Sequence, residues 1–171
     1  GHPLTPDEPG EPGWNVRMTD VQAAVGLVQL GRLPDIVRRR REIAERYRAA
    51  LADVAGLRFV ADPDEGSGNA QSFWVEVGEE YPLDRDALLG ALLEAGIAVQ
   101  RGIRATHRQA PYRALTPPEG LPGTERFSDG TLVLPVHHAL TVAAQDRVIA
   151  VLREPRVPAM VAVDAARGIA R

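Results

Sequence analysis

The hydrophobic period of this chain changes near residue 55, and that change bounds the folds open to it. Up to about Val54 apolar residues recur at helical spacing; from Leu57 onward short β-rich runs alternate with amphipathic segments. Val21, Val25, Val28 and Leu33 trace one helical stripe. Thr19 followed by Gln22 has the capping-box arrangement, in which each side chain satisfies the other residue's backbone N–H. Pro34 has no N–H and crowds the preceding turn. A first helix from Thr19 to Leu33 and a second from about Asp35 to Val54 are therefore expected, the second carrying Ile36, Ile43, Tyr47 and Leu51 on one side.

After the change of period, "LRFVAD" and "SFWVEV" read as strands separated by the polar loop "PDEGSGNAQ". "DRDALLGALLEAG" reads as a helix with Asp84 as its cap and Gly96 at its end. "IAVQ" is expected to be a strand, followed by an aperiodic loop from Arg101 to Gly123 and a short helix near Thr124 to Asp129. A strand "TLVLP" and a helix from about Thr141 to Arg153 complete the series. Helices and strands mixed in this order predict an α/β fold: two N-terminal helices, then a small mixed sheet with helices packed on one face. The expected organisation is an N-terminal arm and loop over 1–33, a linking helix and small α/β domain over 34–153, and a tail over 154–171.

The bulk chemistry narrows the function classes. All 20 basic residues are arginine, and lysine is absent from the 171 residues. The formal net charge of -3 gives no electrostatic reason for a nucleic-acid or anionic-membrane partner. Arg38 to Arg41 would spread around a helix, diluted by Asp35, Glu42 and Glu45, and reads as a solvated face. Cysteine is absent, which excludes disulfides, thiolate metal sites and cysteine nucleophiles. Without an apolar run of about 20 residues or a signal-peptide pattern, the expectation is a soluble cytoplasmic protein. The arginine-, alanine- and valine-rich usage resembles that of a GC-rich bacterial genome and concerns codons more than chemistry.

No G-x-G-x-x-G, P-loop, H-E-x-x-H or nucleophile elbow occurs. His137 and His138 are adjacent, so on a strand they would face opposite sides and could hardly share a metal. Asp84 and Asp86 are more simply a helix start than a carboxylate pair. Neither a metal site nor a catalytic residue is assigned from these features. Two segments remain. In "GWNVRMTDVQAA", Asn15 and Arg17 stand just before a capped helix, where an amide and a guanidinium can be aimed at an anion, or can simply shape a loop over Trp14. In "VQRGIRATHRQAPY", Arg101, Arg104, His107 and Arg108 share a loop after a strand, a place where ligand-binding groups gather but where solvated arginines are also common.

"GWNVRMTDVQAAVGLVQLGRL", "NAQSFWVEV", "AGIAVQRGIRATHRQAPY" and "TLVLPVHHALTVAAQDRVIAVL" occur in this order. The chain thereby resembles the C-terminal part of DegT/DnrJ-type sugar aminotransferases, pyridoxal-phosphate (PLP) enzymes of fold type I close to the StrS enzymes. The resemblance covers about residues 10 to 153. It implies the end of the large domain plus the small domain, in a homo-oligomer. In that family the G-x-N-x-R-M stretch supplies an asparagine that reaches across a dimer to the neighbouring subunit's PLP phosphate. Asn15 matches it, with Arg17 beside it. The family's small-domain histidine, near the nucleotide-sugar substrate, matches His107, with Arg101 and Arg104 in the same loop. "QRGI" departs from the commoner version of that loop, so the sugar specificity does not carry over.

A PLP transaminase needs a lysine amine to hold the cofactor as a Schiff base and to shuttle a proton. Arginine cannot replace it, because guanidinium stays protonated and is not nucleophilic. The resemblance thus implies a composite site: Asn15 and His107 from this chain, the lysine from a large domain or an intact homologous subunit. Such an assembly would convert a keto-sugar nucleotide to an amino sugar, with glutamate as donor. The other reading open at this point is a small-domain relic acting as a binding or subunit-pairing module.

Overall fold

The computed structural model describes residues 16–117 and 119–158. The chain divides into two compact units, Gly1–Pro34 and Asp35–Arg171. Helix α1 runs unbroken over Asp20–Leu51 with Pro34 inside it, where two helices are expected from the sequence. A proline removes one i→i−4 hydrogen bond. Both flanks are several turns long, and elongation adds a bond for each residue fixed, so propagation outweighs the single loss. The start of α1 follows the sequence expectation: Thr19 N–H donates to Gln22 Oε1 at 2.9 Å and Gln22 N–H to Thr19 Oγ1 at 3.3 Å.

Strands β1 (Leu57–Phe59), β2 (Phe73–Val77), β3 (Gln100–Arg101) and β4 (Thr131–Leu134) form one sheet in the order β1-β2-β4-β3. Every pairing is antiparallel, so the sheet is not mixed as expected. Helix α2 (Arg85–Glu94) carries the chain from β2 across to β3, a crossover that would ordinarily make parallel neighbours. Here β4 is inserted between them and pairs antiparallel with both, the split β-α-β arrangement. The expected strand Ile97–Gln100 is shifted to Gln100–Arg101, although Ile97 and Val99 are still buried.

Alternation along β2 decides which helices cover which face. Phe73 and Val75 point into the core, where the Tyr47 ring of α1 stacks on Phe73 at 5.2 Å. Ile43 and Leu51 of α1, Leu88 and Leu92 of α2, and Val148 and Leu152 of α4 (Val142–Arg153) fill that side with Leu132 and Leu134. Trp74 points the other way and meets Phe127 of α3 (Pro122–Gly130), ring centroids 5.2 Å apart. The helices therefore do not all lie on one face. The short α3 covers the second, because Trp74 supplies an apolar surface there that Phe127 can bury.

Gln145, Tyr81 and Tyr47 find hydrogen-bond partners inside this core. The buried Gln145 amide donates to the Ile43 carbonyl at 2.8 Å, joining α4 to α1. Tyr81 donates its hydroxyl to the Leu152 carbonyl at 2.8 Å, and burial pushes its phenol up to about 12. Tyr47 donates to the Pro135 carbonyl, and burial raises its phenol further still. Asp84 and Thr141 cap α2 and α4 by accepting from Ala87 N–H at 2.8 Å and Ala144 N–H at 3.1 Å. In the arginine run Arg38 and Arg41 are exposed, whereas Arg39 and Arg40 are half-buried. Arg38 pairs with Asp35 and Glu42, but Arg39 donates to the Leu140 carbonyl at 3.1 Å and Arg41 to the Gly68 carbonyl at 2.7 Å, pinning two loops.

In the first unit, the apolar stripe of α1 is exposed: Val21 75%, Val25 58% and Val28 65%. His137 and His138 lie in the turn after β4, both exposed. Of the expected tail, residues 159–171 fall outside the described part.

Candidate functional site

One face of α3 holds the loop that leaves β3. Glu125, Ser128 and Asp129 stand at i, i+3 and i+4, so their side chains project together. The His107 ring is 9% exposed, and its Nε2 lies 2.9 Å from Glu125 Oε1, within hydrogen-bond distance. Arg108 reaches Glu125 Oε2 at 3.0 Å and both Asp129 oxygens at 2.8 and 2.7 Å. Ser128 Oγ accepts from Ala105 N–H at 3.2 Å, and Thr116 donates its hydroxyl to the His107 carbonyl at 3.0 Å. Glu125 Oε1 also accepts from Leu121 N–H at 3.2 Å, drawing the end of the loop to the same carboxylate. Single-turn 3-10 helices at Thr106–Arg108 and Arg113–Leu115 keep the segment compact between these anchors.

These donors hold the Glu125 carboxyl below the usual glutamate value of 4.5, the His107 hydrogen bond first, then Leu121 N–H and Arg108. A depressed carboxylate contributes stability that is whole above 4.5 and is lost as pH falls through the lowered value. The clasp is therefore expected to loosen on acidification below 4.5. Amide exchange across residues 103–117, relative to α2 and corrected for intrinsic rates, should rise in that range. Unchanged relative protection would count against the clasp.

The sequence-derived candidates separate in the structure. His107 and Arg108 are brought together through Glu125. Arg101 pairs instead with Asp86 on α2, Nε to Oδ1 at 3.1 Å, and remains exposed. Arg104 and Arg17 are exposed. Asn15 lies outside the described residues. Glu125, Ser128 and Asp129 escaped the sequence reading, although a polar i, i+3, i+4 stripe on a short helix facing a basic loop is a signal that could have found them. The described residues hold no group of three or more His, Asp or Glu side chains placed to take a metal ion. No helix among them is long and apolar enough to cross a membrane.

A family model for the DegT/DnrJ/EryC1/StrS aminotransferases matches residues 5–153. The chain belongs to this family. Among solved structures it is similar to the aminotransferase TlmJ from Streptoalloteichus hindustanus, with 33% identity and a TM-score of 0.74. That match covers 94% of this chain and 41% of TlmJ. It is similar to DesV of S. venezuelae, solved with a ketimine intermediate, at 28% identity and a TM-score of 0.78, covering 90% of this chain and 41% of DesV. It is also similar to Spr1654 from Streptococcus pneumoniae, a putative sugar aminotransferase solved in its PLP form. There the identity is 25% and the TM-score 0.75, over 84% of this chain and 37% of the other. This member of the DegT/DnrJ family thus spans about two-fifths of the length of TlmJ and DesV. Asn15, Arg17, Arg101, Arg104 and His107 all fall within the matched residues.

Proposed function

We propose that these residues form the C-terminal part of a PLP-dependent nucleotide-sugar aminotransferase. It converts a keto sugar to an amino sugar with glutamate as donor, and its site is completed by a lysine-bearing large domain within a homo-oligomer. The observation that carries this reading is the family match over 5–153. Two features support it: the span of about two-fifths of TlmJ and DesV, and the exposure of the apolar side chains Val21, Val25 and Val28 on α1. A stripe of that kind on a helix asks for a partner surface.

PLP supplies an electron sink for bonds at the carbon bearing the amino group. The residues present do not fit that cofactor by themselves, because none of the 171 carries an amine side chain. No chemical step through the cofactor is assigned to them. Their proposed contribution is binding. The Asn15 amide and the Arg17 guanidinium serve the cofactor phosphate, a charge that planar donors match well. His107, Arg101 and Arg104 serve the nucleotide sugar.

The exposed stripe equally favours a subunit-pairing module without catalytic duty, and one experiment separates the two. Co-expressed with a lysine-bearing large domain of the family, the chain should co-purify with it, retain PLP and restore transamination. Co-purification without PLP would leave the pairing role, and failure to associate would defeat the composite site.

A further inference from the structure

We propose that Glu125 is a positioning residue for His107: its carboxylate fixes the neutral imidazole as the Nε2–H tautomer, so the neutral ring meets a ligand as a hydrogen-bond acceptor at Nδ1. That His107 serves a sugar-nucleotide site is taken from the reading above. The tautomer itself follows from the contacts. An ionised carboxylate only accepts hydrogen bonds, so at 2.9 Å from Glu125 Oε1 the hydrogen belongs to Nε2. Nδ1 is buried and has no partner among the described residues. A hydrogen there would be a buried unpaired N–H, whereas a bare lone pair costs less. Both constraints select the same tautomer.

The ring's orientation is fixed as well. Glu125 accepts from Leu121 N–H and takes Arg108 on its second oxygen, Thr116 holds the His107 carbonyl, and Ser128 holds Ala105 N–H. Gly120, with φ of +71°, lets the chain turn close to this carboxylate, where an added Cβ would lie 3.1 Å from Glu125 Oε1. The loop is thereby set before any ligand arrives. A ligand that engages Nδ1 has to bring a donor and part the residues covering it. A sugar hydroxyl meets the first condition and a phosphate oxygen does not. Phosphate oxygens instead match the guanidinium groups of Arg104 in the same loop and of Arg101 at the end of β3, where it pairs with Asp86. The loop would then divide its recognition, with hydroxyl donors going to His107 and the diphosphate to the arginines.

The test uses the 15N-labelled chain and the long-range proton–nitrogen spectra of its histidine rings near neutral pH, which distinguish the two tautomers. The chain has four histidines, and His107 is assigned by the signals missing in His107→Asn. Wild type should show an unprotonated Nδ1 and a protonated Nε2. In Glu125→Gln the amide can turn its NH2 toward the ring, so the two nitrogen shifts should converge or exchange. Ser128→Ala, which loosens the loop without touching the ring, should leave them as in wild type. An Nδ1–H tautomer in wild type, unchanged shifts in Glu125→Gln, or an equal change in Ser128→Ala would each overturn the proposal. The wild-type spectrum decides even if Glu125→Gln does not fold. If the co-expressed assembly fails to bind a sugar nucleotide, the ligand assignment falls and the tautomer result stands.

Discussion

Replacing Gly56 by alanine will cost the fold about 2–6 kcal/mol, the sum of a left-handed backbone for a non-glycine residue and an overpacked contact. Gly56 has a φ of +78°, and a Cβ added there would lie 2.2 Å from the Tyr81 backbone nitrogen and 2.7 Å from its Cα. Backbone cannot rotate out of the way as a side chain can. Retreat is also blocked from both ends of the contact. Gly78 N–H donates to the Gly56 carbonyl at 2.7 Å, and the Tyr81 hydroxyl is tied to Leu152 inside the core. Residue 57 then enters β1 opposite Val77, so a shift at Gly56 would disturb the first strand pair. At roughly 2–4 °C per kcal/mol for a chain of this size, the melting temperature should drop by about 4–24 °C. Gly26 is the control. It lies on α1 with nothing within 4 Å of an added Cβ, so Gly26→Ala should be neutral or stabilising by up to about 1 kcal/mol. Equal melting temperatures for wild type and Gly56→Ala would show that the left-handed turn is not needed.

Incubated alone with PLP and then reduced with borohydride, the chain will carry no cofactor on any internal side chain. Reduction traps a Schiff base, a Schiff base needs an unprotonated amine, and the 171 residues contain no lysine to supply one. The 20 arginines cannot stand in, since guanidinium holds its proton at every accessible pH. The α-amino group is the one amine left, so peptide mapping has to accompany the mass measurement. An adduct mapped to an internal residue would contradict the account. The expected effect is all or none, because the missing group is the one that forms the bond.

Where local chemistry decides structure, the sequence is legible. The Thr19–Gln22 box, the Asp84 and Thr141 caps, and Gly96 with its φ of +71° stand where their residue types place them. Pro34 misled because its penalty is local while helix propagation is cooperative along α1. The antiparallel sheet was hidden because no local signal in β2, α2 or β3 announces that β4 will enter between the strands. The side that α3 covers depends on Trp74 finding Phe127, 53 positions later. The site divides in the same way. His107 stands out by its type and its loop, whereas Glu125 is 18 residues away and gains meaning only when α3 folds back against that loop. The family resemblance added what spacing cannot carry, namely the proposals of a phosphate role for Asn15 and a substrate role for His107.

The most direct measurement of the composite-site account is the PLP affinity of the assembly formed with a lysine-bearing large domain, with and without Asn15→Ala. Losing one hydrogen bond to a charged group costs roughly 1.5–3 kcal/mol. At 1.4 kcal/mol per factor of ten, cofactor binding should weaken by about tenfold to a hundredfold. Arg38→Ala is the comparison: Arg38 is an exposed arginine already paired with Asp35 and Glu42, and its loss should leave PLP affinity unchanged. Melting temperatures taken without PLP separate a phosphate contact from a loop-shaping role, which would lower stability whether or not the cofactor is present. The account predicts weaker PLP binding in Asn15→Ala with little change in apo stability. Equal PLP affinity in wild type and Asn15→Ala would contradict it.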